Sequence, residues 1–271
     1  MILPNNTPPL IDYRCNLCGG RNTLDVREFR RELAICGSCG SNARFRGIIH
    51  VLANVVGETQ GQCLRDWLPR DTVFGLGMSD WPGYADWLKT KYRYENTYFD
   101  RLPQMDIHNL AADQQGKYDF VISSDVFEHI TQPVQRGFDN LLALLKPGGT
   151  LIFSVPYTRT ATTLEHYPDL NEFEIVDFHG SRVLLNHTHH GQWQVFDQPV
   201  FHGGEGATLE MRIFCEADVL RCLAQAGFES VTVHDQPHLS AGYYWPGLKQ
   251  LDPDAPLLYA YIISARRPRD Q

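Results

Sequence analysis

Residues 72–79 read Thr-Val-Phe-Gly-Leu-Gly-Met-Ser, a short apolar run that two glycines interrupt. Such a run predicts a buried strand, and the helical pattern over residues 81–91 predicts a crossover to a second strand at residues 94–99. Gly75 and Gly77 let the backbone approach another group closely, where a Cβ atom would clash. The stretch therefore predicts the first β-α-β unit of an α/β fold.

The same alternation of apolar strands and amphipathic helices continues along the chain. Further strands are predicted at residues 120–123, 150–155, 229–234 and 257–265, and further helices at residues 134–145 and 216–226. Lys146-Pro147-Gly148-Gly149 predicts a sharp turn before the strand at 150–155. This order favours an open parallel sheet with helices on both faces.

Residues 157–212 interrupt that alternation and hold six of the eleven histidines. Alternating runs at residues 173–178, 182–187 and 193–196 predict strands, with a hairpin turn at Gly191. The segment is therefore interpreted as a β-rich insertion within a main domain of residues 46–271. The strand before it is predicted to end at the ligand crevice of an open α/β sheet, which makes the insertion a candidate for substrate binding.

Four of the seven cysteines lie at the N-terminus as two pairs, Cys15/Cys18 and Cys36/Cys39. This spacing predicts a tetrahedral zinc site of four thiolates, whereas the alternative, two disulfides, is typical of secreted proteins. Four thiolates leave no open position on the metal, so the zinc is expected to be structural rather than catalytic.

The first 45 residues are predicted to form a zinc ribbon that is too small to fold around a core of its own. Short strands are expected at residues 23–29 and 32–35, and a helix at residues 43–56, which Gly57 ends, links the ribbon to the rest. The ribbon can serve the fold alone or also contact a substrate or partner. Its arginines outnumber its acids, but four thiolates with one Zn(II) return it to near neutrality, which is a weak signature of nucleic-acid binding.

The composition is that of a globular protein, with 43% hydrophobic and 21% charged residues among 271. The net charge of −8 disfavours binding of nucleic acid through phosphate neutralisation. No apolar run is long enough for a membrane span, and the N-terminal residues do not have the pattern of a signal peptide. A cytoplasmic protein without a membrane partner is therefore expected, and its oligomeric state stays open.

Several motifs, taken together in their order, resemble class I S-adenosylmethionine-dependent methyltransferases. They are the glycine stretch 72–79, Tyr98-Phe99-Asp100, Met105-Asp106-Ile107, the segment 118–130, the turn and strand at 144–153, and the helix ending in Ala-Gly-Phe at 226–228. The ribbon in front resembles that of a group of bacterial methyltransferases. The resemblance implies a Rossmann-like sheet and S-adenosylmethionine as the cofactor, with Zn²⁺ as a structural metal.

The resemblance also implies which residues hold the cofactor: Gly75, Gly77, Ser79, Asp100, Asp106, Ile107, Asp125 and Phe127. Asp100 would accept hydrogen bonds from the ribose hydroxyls and Asp106 from the adenine amino group, with Ile107 and Phe127 against the ring. Val73 and Ser79 depart from the family pattern, which commonly has an acid and a third glycine there. Asp80 or Asp125 could instead pair with the ammonium group of the cofactor.

Candidate catalytic residues are those that the insertion and the fourth strand would bring to the crevice: His202, His166, Glu165 and His129. We expect O-methylation of a small polar molecule or a saccharide. The alternatives are an RNA methyltransferase that holds RNA through the zinc lobe and a non-catalytic zinc-ribbon adaptor. A dinucleotide oxidoreductase would require a complete Gly-x-Gly-x-x-Gly motif, which Asp80 breaks.

Overall fold

A computed structural model describes residues 9–58, 61–202, 208–248 and 255–270. Its four α-helices within those ranges are α1 (Ala43–Val56), α2 (Pro82–Lys91), α3 (Val134–Leu144) and α4 (Glu216–Ala226). Among the residues described, no helix has the length and the apolar character needed to cross a membrane.

The central sheet has six strands: β3 (Phe74–Met78), β4 (Arg93–Thr97), β5 (Tyr118–Ser124), β6 (Leu145–Ser154), β15 (Glu229–His234) and β16 (Ile262–Arg266). Their order is β15-β16-β6-β5-β3-β4, and the four strands β6, β5, β3 and β4 are parallel to one another. The last strand, β16, lies antiparallel between β6 and β15. The expectation of a parallel sheet therefore fails at this end: between β15 and β16 the described residues contain a short 3-10 helix at Leu239–Ala241 and not the crossover helix that a parallel return needs.

Each face of the sheet carries its own hydrophobic cluster, because successive side chains of a strand point to opposite faces. Phe120 and Ile152 face the side on which the ribbon, α1 and α2 pack. Val121 and Leu151 face the side that α3 and α4 cover. The alternation predicted from the sequence thus gives a three-layer α/β fold.

Helix α1 has the bounds that the sequence predicts, and both of its ends have a local cause. The Asn42 side chain accepts a hydrogen bond from the Phe45 backbone N–H at the first turn, and Gly57 ends the helix with a φ of 71°. The helix follows the ribbon directly and packs against the sheet. One hydrophobic cluster consequently runs from Cys15 and Leu17 of the ribbon to the sheet. A domain boundary at residue 45 stays a prediction.

The ribbon is built differently from its predicted form. Its two strands, β1 (Leu10–Arg14) and β2 (Arg21–Asp25), flank the first cysteine pair and are antiparallel. Residues 32–35 form turns rather than the predicted strand, and Ala34 has a φ of 54°, which extended backbone does not allow. This segment has to bend back so that the second cysteine pair meets the first.

The insertion is rich in β-structure, as predicted. Its strands are β7 (Tyr157–Thr158), β8 (Leu164–Glu165), β9 (Glu172–Phe178), β10 (Ser181–His187), β11 (Trp193–Phe196), β12 (Phe201–His202) and β13 (Thr208–Leu209), followed by β14 (Arg212–Cys215). Strands β9, β10 and β11 form an antiparallel sheet with the expected turn at Gly191, whose φ is 75°. The pair β12–β13 places His202 beside the central sheet, whereas the glycines after it, at 203, 204 and 206, lie outside the described residues.

Candidate active site

The parallel strands of the central sheet end at one common edge, which is where open α/β sheets bind their ligands. Strands β3, β4, β5 and β6 end there at Met78, Thr97, Ser124 and Ser154. The predicted cofactor and catalytic residues follow these strand ends or come from the insertion. We call this edge of the sheet the crevice.

The glycine stretch ends at the crevice in a tight turn. Gly77 lies next to the hydrogen-bonded pair of Tyr94 and Asp80, and a Cβ atom on Gly77 would overlap both side chains. Ser79, at the position where the family has its third glycine, has a φ of 58°. A left-handed residue here turns the backbone at the end of β3, and the binding of the cofactor by Gly77 and Ser79 stays a prediction.

Asp80 lies under this turn and is almost completely buried. Burial raises the pKa of its carboxyl to about 7, although the hydrogen bond from Tyr94 opposes the rise. Its backbone N–H donates to Asn96 Oδ1 at 2.9 Å, which ties the turn to β4. Asp80 therefore supports the glycine turn from below.

Gly75 does not reach the crevice. It lies inside β3, and a Cβ atom there would overlap the ring of Phe120 on the neighbouring strand. This glycine lets Phe120 pack across the sheet, and its contact with the cofactor stays a prediction.

The loop after β4 carries the predicted ribose and adenine residues. Asp100 is exposed at this end of the sheet. The carboxylate of Asp106 accepts hydrogen bonds from the His108 backbone N–H at 2.9 Å and from Asn109 Nδ2 at 2.6 Å, so its position is set by its own loop. Ile107 is 6% exposed and packs into the core below. An exposed carboxylate at the second strand end and the glycine turn at the first fit a nucleoside ligand.

Phe127 is placed in the core rather than in the crevice. It is completely buried, and its ring centroid lies 4.8 Å from that of Phe138 and 5.2 Å from that of Phe153. The expectation that it stacks on the adenine is corrected, because its aromatic contacts join the short 3-10 helix after β5 to α3 and β6.

The four N-terminal cysteines come together as predicted. Their sulfur atoms all lie within 4.8 Å of one another, with Cys15 and Cys39 at 3.7 Å and Cys18 and Cys36 also at 3.7 Å. A tetrahedral zinc with bonds of about 2.3 Å to sulfur requires sulfur separations of about 3.8 Å. The cluster therefore fits one zinc ion, and four sulfur ligands leave no open position on it.

The ribbon also reaches the crevice through two arginines. Arg31 forms two hydrogen bonds to the Asp125 carboxylate, at 2.5 and 2.7 Å, and Arg44 approaches the same carboxylate at 3.1 Å. Burial would raise the pKa of Asp125, but the two guanidinium groups hold it well below its usual range. We call this group of three residues the ribbon latch. Both carboxylate oxygens of Asp125 are engaged by arginines of the ribbon, and its pairing with the cofactor's ammonium group stays a prediction.

A second group of side chains lies beside the latch, where the turn after β5 meets the insertion. His202 Nδ1 lies 3.1 Å from Glu128 Oε1 and 3.8 Å from Glu210 Oε2, and His129 Nε2 lies 3.8 Å from Glu128 Oε1. His166 Nε2 lies 3.2 Å from Glu210 Oε1. We call these five residues the histidine–glutamate cluster. It unites three of the four predicted catalytic residues.

Backbone hydrogen bonds hold this cluster together. The Met211 N–H donates to the Glu128 carbonyl at 2.8 Å, and the His166 N–H donates to the Met211 carbonyl at 2.9 Å. Burial raises the pKa of Glu128, whereas the hydrogen bond with Glu128 raises the pKa of His202. The insertion is thereby joined to the end of β5.

Glu165, the fourth predicted catalytic residue, lies outside the cluster. Its carboxylate accepts from Arg212 Nε at 2.8 Å and from Gln132 at 3.0 Å. Arg212 is 1% exposed and also donates to the carbonyls of Phe127 and Ile130. Glu165 therefore neutralises a buried arginine that fixes the turn after β5, and a catalytic role for it stays a prediction.

Sequence reasoning missed both carboxylates of the cluster. Glu128 is adjacent to His129 within the family motif, so its position was a signal that could have been used. Glu210 had no such signal, since it follows the insertion strands without any motif around it.

Comparisons with known proteins were made for the whole chain. A search of curated proteins finds no match. Among solved structures, 1,6-didemethyltoxoflavin N1-methyltransferase from Burkholderia thailandensis, with its substrate and S-adenosylhomocysteine bound, is 13% identical, with 83% of this chain and 78% of that chain covered and a TM-score of 0.43. An S-adenosylmethionine-dependent methyltransferase from Clostridium acetobutylicum is also 13% identical, with coverages of 83% and 92% and a TM-score of 0.43.

An amino pentose methyltransferase of calicheamicin biosynthesis from Micromonospora echinaspora, with S-adenosylmethionine bound, is 15% identical, with 84% and 92% covered and a TM-score of 0.42. The family model described as a methyltransferase domain matches residues 63–233, which is more than half of the chain and includes β3 to β6 and the histidine–glutamate cluster. The chain therefore belongs to the methyltransferase-domain family.

Proposed function

We propose that the protein transfers the methyl group of S-adenosylmethionine to an oxygen atom of a small polar molecule or a saccharide. The observation that carries this proposal is the histidine–glutamate cluster, which the insertion assembles at the same sheet edge as the glycine turn. Imidazoles and carboxylates form hydrogen bonds with hydroxyl groups. A polar acceptor is therefore favoured over an apolar one.

On the cofactor side, we propose that the turn of Gly77 and Ser79 lies against the methionine part and that Asp100 accepts hydrogen bonds from the ribose. Asp106 would accept from the adenine amino group while its loop holds it in place. Ile107 contributes apolar surface below the ring. These assignments rest on the placement of each residue at the ends of β3 and β4.

On the acceptor side, we propose that His202 and His129 lie beside the hydroxyl group that receives the methyl group. Their side chains are 33% and 17% exposed, whereas Glu128 between them is completely buried. His166 holds Glu210 in position rather than facing the acceptor itself. Methyl transfer is an in-line displacement, so alignment of the hydroxyl oxygen with the sulfonium methyl group is the main task of these residues.

The bound cofactor supplies the electrophilic methyl group. The protein supplies binding, alignment and the exclusion of water at the ends of β3 and β5. The insertion contributes β12, which carries His202, and β13, whose Leu209 carbonyl lies 2.8 Å from His129 Nδ1.

An RNA acceptor is the second candidate, and the ribbon latch disfavours it. Arg31 and Arg44 are the ribbon arginines that reach the crevice, and both are engaged by Asp125. Neutralised guanidinium groups contribute little to phosphate binding. Filter binding of RNA at low salt checks this, and tight salt-dependent binding would favour the RNA candidate.

The proposed function is tested by calorimetry followed by an acceptor screen. We expect S-adenosylmethionine and S-adenosylhomocysteine to bind, and we expect a screen of sugars, sugar nucleotides, phenols and carboxylic acids to release S-adenosylhomocysteine with at least one acceptor. The product should show a methoxy signal by NMR. Methylation of nitrogen or carbon acceptors alone would contradict the proposal, and so would the absence of cofactor binding at millimolar concentration.

Gly77→Ala is expected to weaken binding of S-adenosylhomocysteine by about tenfold or more. The new Cβ atom must displace Asp80 or Tyr94, and a distortion of the turn that costs the bound state about 1–3 kcal/mol corresponds to roughly a 5- to 150-fold change in affinity. Gly37→Ala is the matched control, because the nearest atom to a Cβ there lies at 3.9 Å. Equal affinity of Gly77→Ala and wild type in calorimetry would remove this turn from the cofactor site.

A further inference from the structure

Glu128 has an unusual environment for a carboxylate. It is completely buried, and one of its oxygens, Oε2, has no hydrogen-bond partner. Its other oxygen faces His202 at 3.1 Å and His129 at 3.8 Å. A buried carboxylate oxygen without a partner is costly unless a cation or a donor binds to it.

The charges around Glu128 also favour a bound cation. Glu210 brings a second carboxylate to the cluster, and its side chain is 12% exposed. Within the described part of the chain, the ion pairs of both carboxylates are with histidines alone. The nearby guanidinium groups are engaged elsewhere, Arg212 by Glu165 and Arg31 by Asp125. The cluster thus holds two acidic groups without a permanent positive charge.

The geometry of the cluster suits a metal ion. One ligand atom each from Glu128, His129 and His202 can be chosen so that all three lie within 4.8 Å of one another. The Nδ1 atom of His129 lies 2.8 Å from the carbonyl oxygen of Leu209, so an Nδ1–H donor there leaves Nε2 as the free nitrogen beside Glu128. A carbonyl that fixes the other ring nitrogen in this way is the usual support of a metal-binding histidine.

We propose that Glu128, His129 and His202 bind one divalent first-row metal ion at the acceptor side of the crevice, and that oxygen atoms of the acceptor complete its coordination. Two imidazoles and one carboxylate form a donor set that Mn²⁺, Fe²⁺ and Co²⁺ accept, whereas the four thiolates of the ribbon select zinc. Three protein ligands leave open positions on the ion, and both histidines are partly exposed towards those positions. Glu210 lies close enough to orient His202 or to hold a water molecule on the ion.

The second part of this inference rests on the proposed function, since the ion is taken to hold the acceptor's oxygen atoms. An acceptor with two adjacent oxygen atoms, such as a vicinal diol of a saccharide, could bind through both. The ion would polarise the hydroxyl group and align it with the methyl group. Binding of the metal itself requires no acceptor and is tested separately.

The metal site is tested by titrating the full-length, zinc-loaded protein with Mn²⁺ alone, by calorimetry and by the loss of the free Mn²⁺ electron paramagnetic resonance signal. We expect one Mn²⁺ per chain in addition to the zinc. His129→Asn and His202→Asn should each weaken Mn²⁺ binding by about tenfold or more, because losing even a supporting partner of a ligand costs about 10–100-fold. His190→Asn, on the exposed hairpin of the insertion, is the matched control and should bind Mn²⁺ as the wild type does.

Glu128→Gln separates a metal ligand from a purely structural residue. It should abolish Mn²⁺ binding but leave the melting temperature of the Mn²⁺-free protein unchanged or higher, because a neutral amide is easier to bury than an uncompensated carboxylate. Zinc content by mass spectrometry verifies that the cysteine site is intact in every variant. Absence of Mn²⁺ binding to the wild type, or equal binding by both histidine variants, would overturn the metal site.

Methyl transfer distinguishes the metal proposal from the proposed function. Mn²⁺ binding without methylation of any oxygen acceptor would support the metal site and contradict the proposed function. Full methylation activity after removal of Mn²⁺, with the ribbon zinc retained, would show that the acceptor does not bind through the ion. An activity that falls on chelation and returns with Mn²⁺ would support both.

Discussion

Cys36→Ser is expected to leave the protein without stoichiometric zinc and to lower its melting temperature far more than an ordinary buried Cys→Ser change. Structural zinc sites contribute apparent binding free energies of about 10–16 kcal/mol, and the ribbon depends on this energy because it is too small for an independent core. The loss should spread beyond the ribbon, since Cys15 and Leu17 belong to the hydrophobic cluster that covers one face of the sheet.

Zinc content by mass spectrometry and scanning calorimetry measure this effect. Cys222→Ser is the matched control, because Cys222 is also buried but lies on α4, away from the cysteine cluster. The control should keep its zinc and melt close to the wild type. A Cys36→Ser protein that retains one zinc and melts with the control would show that the four thiolates do not form the site.

Asp125→Ala is expected to lower the free energy of unfolding by about 1–3 kcal/mol, because Arg31 and Arg44 lose their buried anion and keep only the half-exposed carboxylate of Glu32. The side chains of the two arginines are only 5% and 18% exposed, so water cannot take the place of the carboxylate. Urea unfolding measures the change. Asp86→Ala is the control: its ion pair with Lys89 is exposed on α2, and its loss should cost less than about 1 kcal/mol.

The ribbon latch also gives a dependence of stability on pH. Because the folded-state pKa of Asp125 is depressed, its contribution is present above the unfolded pKa of about 3.9 and is lost as pH falls below it towards the folded value. Asp125→Asn should therefore flatten the fall in stability below about pH 4 relative to the wild type. Identical slopes in acid unfolding, or a loss in Asp125→Ala no greater than that of the control, would remove the latch as a source of stability.

Through the latch, the ribbon also contacts the ends of two strands of the central sheet. Arg31 crosses from the ribbon to the ends of β5 and β6, where its guanidinium also lies 3.3 Å from Ser154 Oγ. The four-cysteine ribbon thereby fixes the backbone at the position from which Glu128 and His129 follow. Removal of zinc should consequently weaken Mn²⁺ binding at the histidine–glutamate cluster even though no cysteine belongs to that cluster.

Local patterns in the chain determined the helices and most of the strands. The bounds of α1 and α4 agree with the predictions, because each has apolar residues at helical spacing and ends at a glycine with positive φ, Gly57 and Gly227. The cysteine pairs likewise predicted their own cluster, since the zinc-binding spacing brings two sulfur atoms together within each short loop. The methyltransferase family was readable because its motifs are local and follow one another in a set order.

Sequence reasoning was weakest for residues whose surroundings come from distant parts of the chain. Gly75 was assigned to the cofactor because its neighbours in sequence are those of a glycine loop, but its actual neighbour is Phe120, 45 positions away, on the adjacent strand. Phe127 was assigned to the adenine, yet the packing of α3 and β6 takes its ring into the core. Neither environment follows from local periodicity.

The sequence by itself therefore determined the α/β fold class, the four-cysteine cluster, the β-rich insertion and the methyltransferase family. Only the tertiary structure decided what surrounds the crevice. Asp125 meets Arg31 across 94 positions of sequence, and Glu128 meets His202 across 74. Helix and strand formation depend on residues a few positions apart, whereas these pairs depend on the path of the whole chain. That path brings a zinc-folded ribbon and a β-rich insertion to the same end of one strand.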